Sequence, residues 1–262
     1  MPPFKARWAE FAAALRATER WLLPGACLLC ERRTFDAVSD PLICAPCRSR
    51  WARLPEPVCD RCGQPGDPSL SCRLCAEWPP GLTGVRSAVW LDAGARRAVH
   101  LLKYEGWRRV ADAIVETLAP LARSLGPATL VPIPLGTARQ RARGYNQSAE
   151  LAVALGDRLA LPVAPDALQR RRETATQTAL TPEARRANLR GAFVARHAPP
   201  APVLIDDVFT TGATLASAAS ALLAAGATTV RGLTFARAPR QLAEAAAEAD
   251  RTPRGWRRGR RG

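Results

Sequence analysis

The sequence predicts an α/β fold, with a mostly parallel sheet flanked by helices, that follows a small cysteine-rich module. Three observations indicate this arrangement. All eight cysteines lie between residues 27 and 75. Beyond residue 81, short apolar runs alternate with longer stretches of helical character, as in α/β proteins. One of these runs, residues 203–205, is continuously apolar, which is typical of a strand buried on both faces of a parallel sheet.

Composition limits the size and the setting of the protein. The 262 residues suffice for one full hydrophobic core and a smaller unit. The formal net charge of +15 predicts attraction to polyanions such as nucleic acid, phosphorylated metabolites or anionic membrane surfaces. No apolar run reaches membrane-spanning length, and charged residues occupy the stretch where a signal peptide needs an apolar region. We therefore expect a cytoplasmic protein without a transmembrane segment.

Residues 1–24 form the first predicted unit, an amphipathic helix. Phe4, Trp8, Phe11 and Leu15 recur at the spacing of one helical face. Such a helix can pack on its own protein or bind a membrane surface or a partner. The sequence leaves both roles open.

Residues 25–80 form the second unit, in which the cysteines make four C-x-x-C pairs. The candidate ligands are Cys27, Cys30, Cys44, Cys47, Cys59, Cys62, Cys72 and Cys75. Two such pairs can surround one zinc ion with four thiolates, so eight cysteines predict two structural zinc ions. A redox role is the alternative, but four copies outside a βαβ pattern favour metal. Pairing in chain order is the simplest arrangement, although the spacing also allows a cross-braced one.

The third unit spans residues 81–238 and supplies the α/β elements. Predicted strands are residues 85–91, 129–135, 203–205 and 228–236, and predicted helices are residues 96–104, 108–125, 148–159 and a stretch ending at 225. The long polar connection at residues 170–190 is typical of a flexible lid. Residues 239–262 form an arginine-rich tail that we expect to be disordered, either as a grip for polyanions or as a solubilising segment.

A phosphate-binding loop is predicted where the strand at 203–205 leads into a helix. Asp206 and Asp207 follow the apolar run, and neighbouring carboxylates suit the vicinal hydroxyls of a ribose as acceptors. The next residues offer hydroxyls and backbone N–H groups at the positive end of a helix, which suits a phosphate. This loop comprises Thr210, Thr211, Gly212, Ala213 and Thr214. A plain strand, turn and helix with a threonine cap is the alternative, but it leaves the paired acids unexplained.

A second anion site is predicted after the strand at 129–135. Arg139, Arg141 and Arg143 alternate there, and clustered guanidinium groups can clamp a pyrophosphate through paired hydrogen bonds. A solvated basic loop followed by an asparagine cap is the alternative.

Taken together, these patterns resemble the ComF/GntX family. The shared features are the four C-x-x-C pairs, Lys-Tyr-x-Gly at 103–106, Val-Pro-Ile-Pro-Leu at 131–135, Arg-Gly-Tyr-Asn-Gln at 143–147 and the Asp-Asp loop at 206–214. That family couples an N-terminal double zinc ribbon to a type I phosphoribosyltransferase fold, and the resemblance covers residues 24–237.

The resemblance implies that the site binds phosphoribosyl pyrophosphate (PRPP) together with magnesium. Asp206 and Asp207 would hold the ribose hydroxyls, and residues 210–214 would hold the 5-phosphate. Candidates for the pyrophosphate loop and the lid are Lys103, Pro134, Leu135, Arg139, Arg141, Arg143, Gly144, Asn146, Gln147, Thr174, Gln177 and Arg186. No catalytic residue is assigned, and the two histidines, His100 and His197, are expected to be structural.

Two functional hypotheses follow from the resemblance. The first is a phosphoribosyltransferase whose acceptor the sequence does not identify. The second is a protein of DNA uptake in natural transformation that handles single-stranded DNA, contacts the competence machinery and keeps the PRPP site as a ligand pocket. A PRPP-responsive regulator is a further alternative to catalysis. The sequence shows neither the acceptor nor the oligomeric state.

We expect two equivalents of zinc per chain, measured by elemental analysis of the purified protein. A chelator should unfold residues 27–78 and spare the remainder, because this segment has too few aliphatic residues to fold without metal. Protein that is free of zinc but retains a folded segment would contradict the assignment.

Overall fold

The computed structural model describes residues 25–33, 42–67, 72–171 and 191–239. The predicted N-terminal helix, most of the predicted lid and nearly all of the arginine-rich tail lie outside these residues, and the boundaries between the four predicted units stay predictions. Within the described segments, no helix has both the length and the apolar character needed to cross a bilayer.

The described elements form an α/β domain behind a cysteine-rich module. They are α1 (Ala45–Ser49), β1 (Leu82–Trp90), α2 (Ala93–Tyr104), α3 (Val110–Arg123), β2 (Thr129–Pro132), α4 (Thr137–Arg143), α5 (Gln147–Leu159), β3 (Leu168–Arg170), β4 (Phe193–Ala195), β5 (Pro202–Phe209), α6 (Ala213–Ala224) and β6 (Val230–Arg237). The main sheet has the strand order β1-β6-β5-β2, and all its neighbours are parallel. β3 and β4 form a separate antiparallel pair.

Both faces of the main sheet are covered. On β5, Val203 and Ile205 pack into one core cluster with residues of α2, α3 and α5, whereas Leu204 packs into the opposite cluster with residues of α6. Successive side chains of a strand point to opposite faces, so a strand between two layers must be apolar at every position. The predicted α/β class is therefore confirmed. The run at 203–205 is continuously apolar because, as expected, both faces of the strand are buried.

The strand that carries the paired acids is longer than predicted. β5 continues beyond residue 205 to Phe209, so Asp206 and Asp207 lie within the strand and not after its end. Pairing with β2 stops at Ile205, but β6 continues alongside, with Thr234 opposite Asp206. The sequence run 203–205 marks only the portion of β5 that has a partner on both sides.

β2 is shorter than predicted. It ends at Pro132 and not at residue 135. Ile133 still donates its N–H to the carbonyl of Ile205 at 3.0 Å, but Pro134 has no N–H with which to continue the ladder. The chain therefore leaves the sheet beside the acids.

The segment after β2, expected to be a loop, forms a helix. Residues 137–143 form the short helix α4, which ends at Gly144 in a left-handed conformation. Arg139 and Arg143, four positions apart, therefore lie on the same side of α4, and Arg141 points away from them. The described residues on either side of the polar connection pair as β3 and β4, in which the buried side chains of Leu168 and Phe193 join the core under α6.

The cysteine-rich module shares the cores of the α/β domain. Trp51, which follows the first cysteine group, is 3% exposed and stacks edge-on against Phe235 of β6 at 4.9 Å between ring centroids. Trp78, which follows the second group, packs into the cluster on the other face of the sheet. We therefore expect a chelator to leave folded those parts of the α/β domain that do not contact Trp51 or Trp78.

Candidate functional site

The eight cysteines form two compact clusters. In each cluster the four Sγ atoms lie within 4.8 Å of one another. The first comprises Cys27, Cys30, Cys44 and Cys47, and the second comprises Cys59, Cys62, Cys72 and Cys75. The pairs thus combine in chain order, which decides between the sequential and the cross-braced arrangement.

The dimensions of both clusters fit zinc. Sγ separations are 3.8 Å for Cys30 and Cys44 and 3.6 Å for Cys62 and Cys72. Four sulfurs at the usual Zn–S distance of about 2.3 Å stand about 3.8 Å apart in a tetrahedron. In the first cluster, the N–H groups of Leu29 and Cys44 approach the Cys27 sulfur at 3.4 Å and stabilise a thiolate. Both clusters are therefore four-thiolate sites suited to structural zinc.

A cavity of about 390 Å³ opens beside the carboxyl ends of β2 and β5. Segments from five parts of the chain line it: α2, the turn after β2 with α4, the start of α5, β3, and β5 with the loop that follows. The sequence-predicted residues that line it are Lys103, Pro134, Leu135, Arg139, Gln147, Asp206, Asp207, Thr210 and Thr214. Residues separated by more than one hundred positions thus meet in one place.

The two acids are held by different elements. One oxygen of Asp206 accepts hydrogen bonds from the Ser148 hydroxyl at 2.9 Å and from the Asp207 backbone N–H at 3.0 Å. Asp207 is only 3% exposed and forms an ion pair with Lys103 of α2. A charge can be buried at acceptable cost only with such a partner. The acids therefore fix α2 and α5 against β5.

Asp206 and Asp207 therefore differ in the direction in which their pKa values are shifted. Burial, reinforced by the charge of Asp207, raises the pKa of Asp206 to about 7. Burial also disfavours the charged form of Asp207, but the Lys103 ammonium outweighs it and holds the pKa of Asp207 below its usual value. In return, Asp207 keeps the pKa of Lys103 above its usual value despite burial. Near neutral pH, Asp206 can therefore either accept or donate a hydrogen bond to a bound hydroxyl.

The loop between β5 and α6 turns at Gly212. This residue has a φ of 75°, and a Cβ there would overlap the rings of Trp78 and Phe209. Both the conformation and the space therefore require glycine. The first turn of α6 presents N–H groups that have no partner within the helix, as an anion site requires.

The members of this loop do not all face the same cavity. Thr210 and Thr214 line the cavity that contains the acids. Thr211 and Ala213 line a second cavity of about 340 Å³, to which Arg73 and Trp78 also contribute.

The three arginines predicted to bind pyrophosphate do not all line a cavity. Arg139 lines the cavity together with Lys103. Arg143 lines an adjoining cavity of about 380 Å³, and its guanidinium lies 5.1 Å from the centroid of the Tyr104 ring. Arg141 is exposed on the surface of α4. Arg139 also lines that adjoining cavity, as expected for residues four positions apart on one side of a helix, so only Arg141 is separated from the other two.

Other predicted site residues have structural contacts. Asn146 caps α5 by accepting from the Ser148 N–H, and it donates to the carbonyl of Ile133 at 2.9 Å, which holds the turn after β2. Gly144 ends α4 at a φ of 80°. Thr174, Gln177 and Arg186 lie outside the described residues.

Several lining residues escaped the sequence analysis. Arg96 and His100 lie at helical spacing on the same face of α2 as the predicted Lys103, and both line the cavity, so this spacing was a usable signal. His100 was expected to be structural, and its Nδ1 lies 3.0 Å from the Glu105 carboxylate. Arg170 reaches the cavity from β3. No local sequence pattern indicates this, because the position of Arg170 depends on the pairing of β3 with β4.

We expect Asp206→Asn to change the pH dependence of stability. The folded-state pKa of Asp206 is raised from 3.8 to about 7, so the folded state binds more protons than the unfolded state between these values. The stabilising contribution of the protonated acid is therefore lost as pH rises through about 7. Because asparagine resembles the protonated acid, the variant should match the wild type near pH 4 and exceed it above pH 7, by about 1–3 kcal/mol in the free energy of unfolding.

Urea unfolding between pH 4 and pH 8 measures this difference. Asp112→Asn, which alters an exposed carboxylate on α3, is the matched control. A difference between Asp206→Asn and wild type that stays constant with pH would contradict the prediction.

Comparison with known proteins supplies an independent result. The sequence profile of the double zinc ribbon domain matches residues 19–76. Over 221 residues the chain is 36% identical to the DNA utilization protein YhgH of Salmonella typhi, covering 80% of this chain and 95% of that protein. Over 222 residues it is 26% identical to competence protein ComFC of Bacillus subtilis, covering 76% and 89%. Similarity of this extent, together with the two four-cysteine clusters, shows that the chain belongs to the ComF/GntX family.

Proposed function

We propose that the chain binds PRPP with magnesium in the cavity beside Asp206 and Asp207 and transfers its phosphoribosyl group to an acceptor, within a role in DNA uptake. One observation carries the proposal: acceptors for ribose hydroxyls, threonine hydroxyls for a phosphate, and cations for a pyrophosphate line the same cavity. The roles of these residues follow from their chemistry.

The acids are suited to the ribose. Asp206 and Asp207 offer oxygens to two vicinal hydroxyls, and Lys103 balances the charge of Asp207. Without that ammonium, two carboxylates would repel the phosphates of the substrate. Thr210, Thr214 and the start of α6 would hold the 5-phosphate, and Arg139 would hold the pyrophosphate.

In the transfer, the bond from the ribose carbon to the pyrophosphate oxygen breaks, and a bond to the acceptor forms. Pyrophosphate leaves with the electron pair, and the acceptor loses a proton to solvent. Such a reaction needs position and charge stabilisation more than a protein nucleophile.

Magnesium would neutralise charge on the pyrophosphate. It prefers carboxylate and phosphate oxygens. Asp206 fits as a donor because it lines the cavity and is not paired with Lys103, which contacts Asp207.

Calorimetric titration with PRPP and magnesium tests this proposal. Wild type should bind saturably, and the double variant Asp206→Ala/Asp207→Ala should bind at least about tenfold more weakly, because the ribose loses its acceptors. The matched control, Asp112→Ala/Asp157→Ala, removes two exposed acids of the same charge. Equal binding by both double variants, or no binding by the wild type, would contradict the proposal.

A second candidate function is the handling of single-stranded DNA without transfer chemistry. The similar proteins are named for DNA utilization and competence. Among the described residues, the large hydrophobic side chains that are exposed are Tyr104, Trp107 and Val153, at 67%, 41% and 50%. The two aromatic ones are close neighbours in the chain, and the guanidinium of Arg143 lies over the Tyr104 ring. Aromatic rings next to arginines are typical of surfaces on which unpaired bases stack.

We expect Tyr104→Ala/Trp107→Ala to weaken the binding of an oligothymidine by about tenfold or more, since stacking of one base contributes about 1–3 kcal/mol. Fluorescence anisotropy over a range of salt concentrations measures this, and Val153→Ala is the control. Deleting residues 251–262 should flatten the salt dependence. This function would be excluded if the affinity for the oligothymidine changed neither with salt concentration nor in the Tyr104→Ala/Trp107→Ala variant.

A further inference from the structure

Arg237, the last residue of β6, is buried between the second cysteine cluster and the Phe209 ring. Its side chain is 1% exposed. The guanidinium donates to the carbonyl of Cys62 and to the side-chain oxygen of Gln64, the latter at 3.2 Å. It also lies 3.8 Å from the centroid of the Phe209 ring, which is face-on cation–π distance. Arg237 therefore joins the second cysteine cluster to the end of β5.

The charge of Arg237 has no carboxylate partner among the described residues, and its Nε has no hydrogen-bond acceptor there. The second cysteine cluster lies directly beside the guanidinium, which donates to the backbone carbonyl of Cys62. Four thiolates around one Zn²⁺ carry a net charge of −2. A zinc-loaded second cluster thus supplies the counter-charge that a buried guanidinium requires.

On its other side, Arg237 supports the phosphate loop. Phe209 lies directly before Thr210, and its ring centroid is 6.0 Å from that of Trp78. Gly212 lies so close to both rings that a single added carbon would overlap them. The backbone of the loop therefore rests on Phe209 and Trp78.

Arg61 ties Trp78 to the same cluster. Its guanidinium donates to the carbonyls of Cys75 at 2.9 Å and of Trp78 at 2.9 Å. Both rings under the loop are thus positioned by groups that depend on the second cluster. The first cluster belongs to the core on the opposite face of the sheet, through Cys27, Cys47 and Trp51.

We infer that Arg237 is a positioning residue that makes the phosphate loop depend on zinc in the second cysteine cluster, and that the first cluster does not have this role. This inference rests on the proposed function, because it concerns the 5-phosphate end of the same cavity. Loss of the second zinc leaves Arg237 without a counter-charge, Phe209 loses its stacked cation, and the loop at 210–214 loses its support. Substrate binding therefore requires zinc in the second cysteine cluster but not in the first.

The test compares Arg237→Lys with Arg231→Lys in the full chain. Arg231 lies on the same strand, but its guanidinium binds the carbonyls of Leu125 and Pro127 at the other end, so the control alters a comparable arginine far from the loop. Lysine keeps the charge and removes the planar stack on Phe209. Titrations with ribose 5-phosphate and with magnesium pyrophosphate report separately on the two ends of the cavity, alongside zinc content and Tm.

We expect Arg237→Lys to raise the Kd for ribose 5-phosphate and PRPP by about tenfold, the order of a desolvated cation–π contact. Its affinity for pyrophosphate should stay at the wild-type value, and zinc should stay at two equivalents. Arg231→Lys should bind all three ligands as the wild type does. A purely structural role of Arg237 would instead lower Tm and weaken ribose 5-phosphate and pyrophosphate alike.

A second pair of variants addresses the metal itself. Cys72→Ser should lower the affinity for ribose 5-phosphate, and Cys30→Ser should leave it unchanged. Wild-type affinity in Arg237→Lys, or equal losses in both cysteine variants, would overturn the inference and leave the proposed function standing. If the wild type binds neither ribose 5-phosphate nor PRPP, the proposed function fails and this inference fails with it.

Discussion

Two neighbouring carboxylates in a partly buried strand repel each other, and the architecture of the site follows from how that repulsion is relieved. Asp207 is paired with Lys103 of α2, and Asp206 takes a hydrogen bond from Ser148 of α5. The burial of the acids is therefore tolerable only when both helices stand at the right distance from β5. The cavity between these elements is the space that this arrangement leaves open, so the same contacts that stabilise the acids also define the site.

The metal module is the second element on which this site depends. A small ribbon with few aliphatic residues cannot form a core alone, and here it contributes Trp51 to one face of the sheet and Trp78 to the other. Each cysteine cluster is thus followed by a tryptophan that packs into a core of the α/β domain. Because Trp78 of the module lies against Gly212, and Arg237 joins the second cluster to Phe209, the module packs against the loop at 210–214 and is not a separate attachment.

Local patterns predicted most of the elements. The helices around residues 96–104 and 148–159 and the strand at 203–205 could be located because their side-chain periodicity reflects which faces are buried. The predictions erred where a partner elsewhere in the chain determined the outcome. β5 extends to Phe209 because β6 continues beside it, and residues 168–170 became a strand because residues 193–195 pair with them. The helix at 137–143 was missed because its arginines show no apolar face.

The sequence by itself determined the ligand chemistry: eight cysteines in four pairs for metal, adjacent acids followed by a glycine-containing loop, and an excess of arginine. These features can be identified in the sequence because ligand binding requires particular residue types at particular short spacings. Only the tertiary structure decided that the cysteines combine in chain order, that Lys103 pairs with Asp207, and that Arg237 links the second cluster to Phe209. Such contacts join residues far apart in the chain, and their geometry comes from packing, which leaves no local pattern to read.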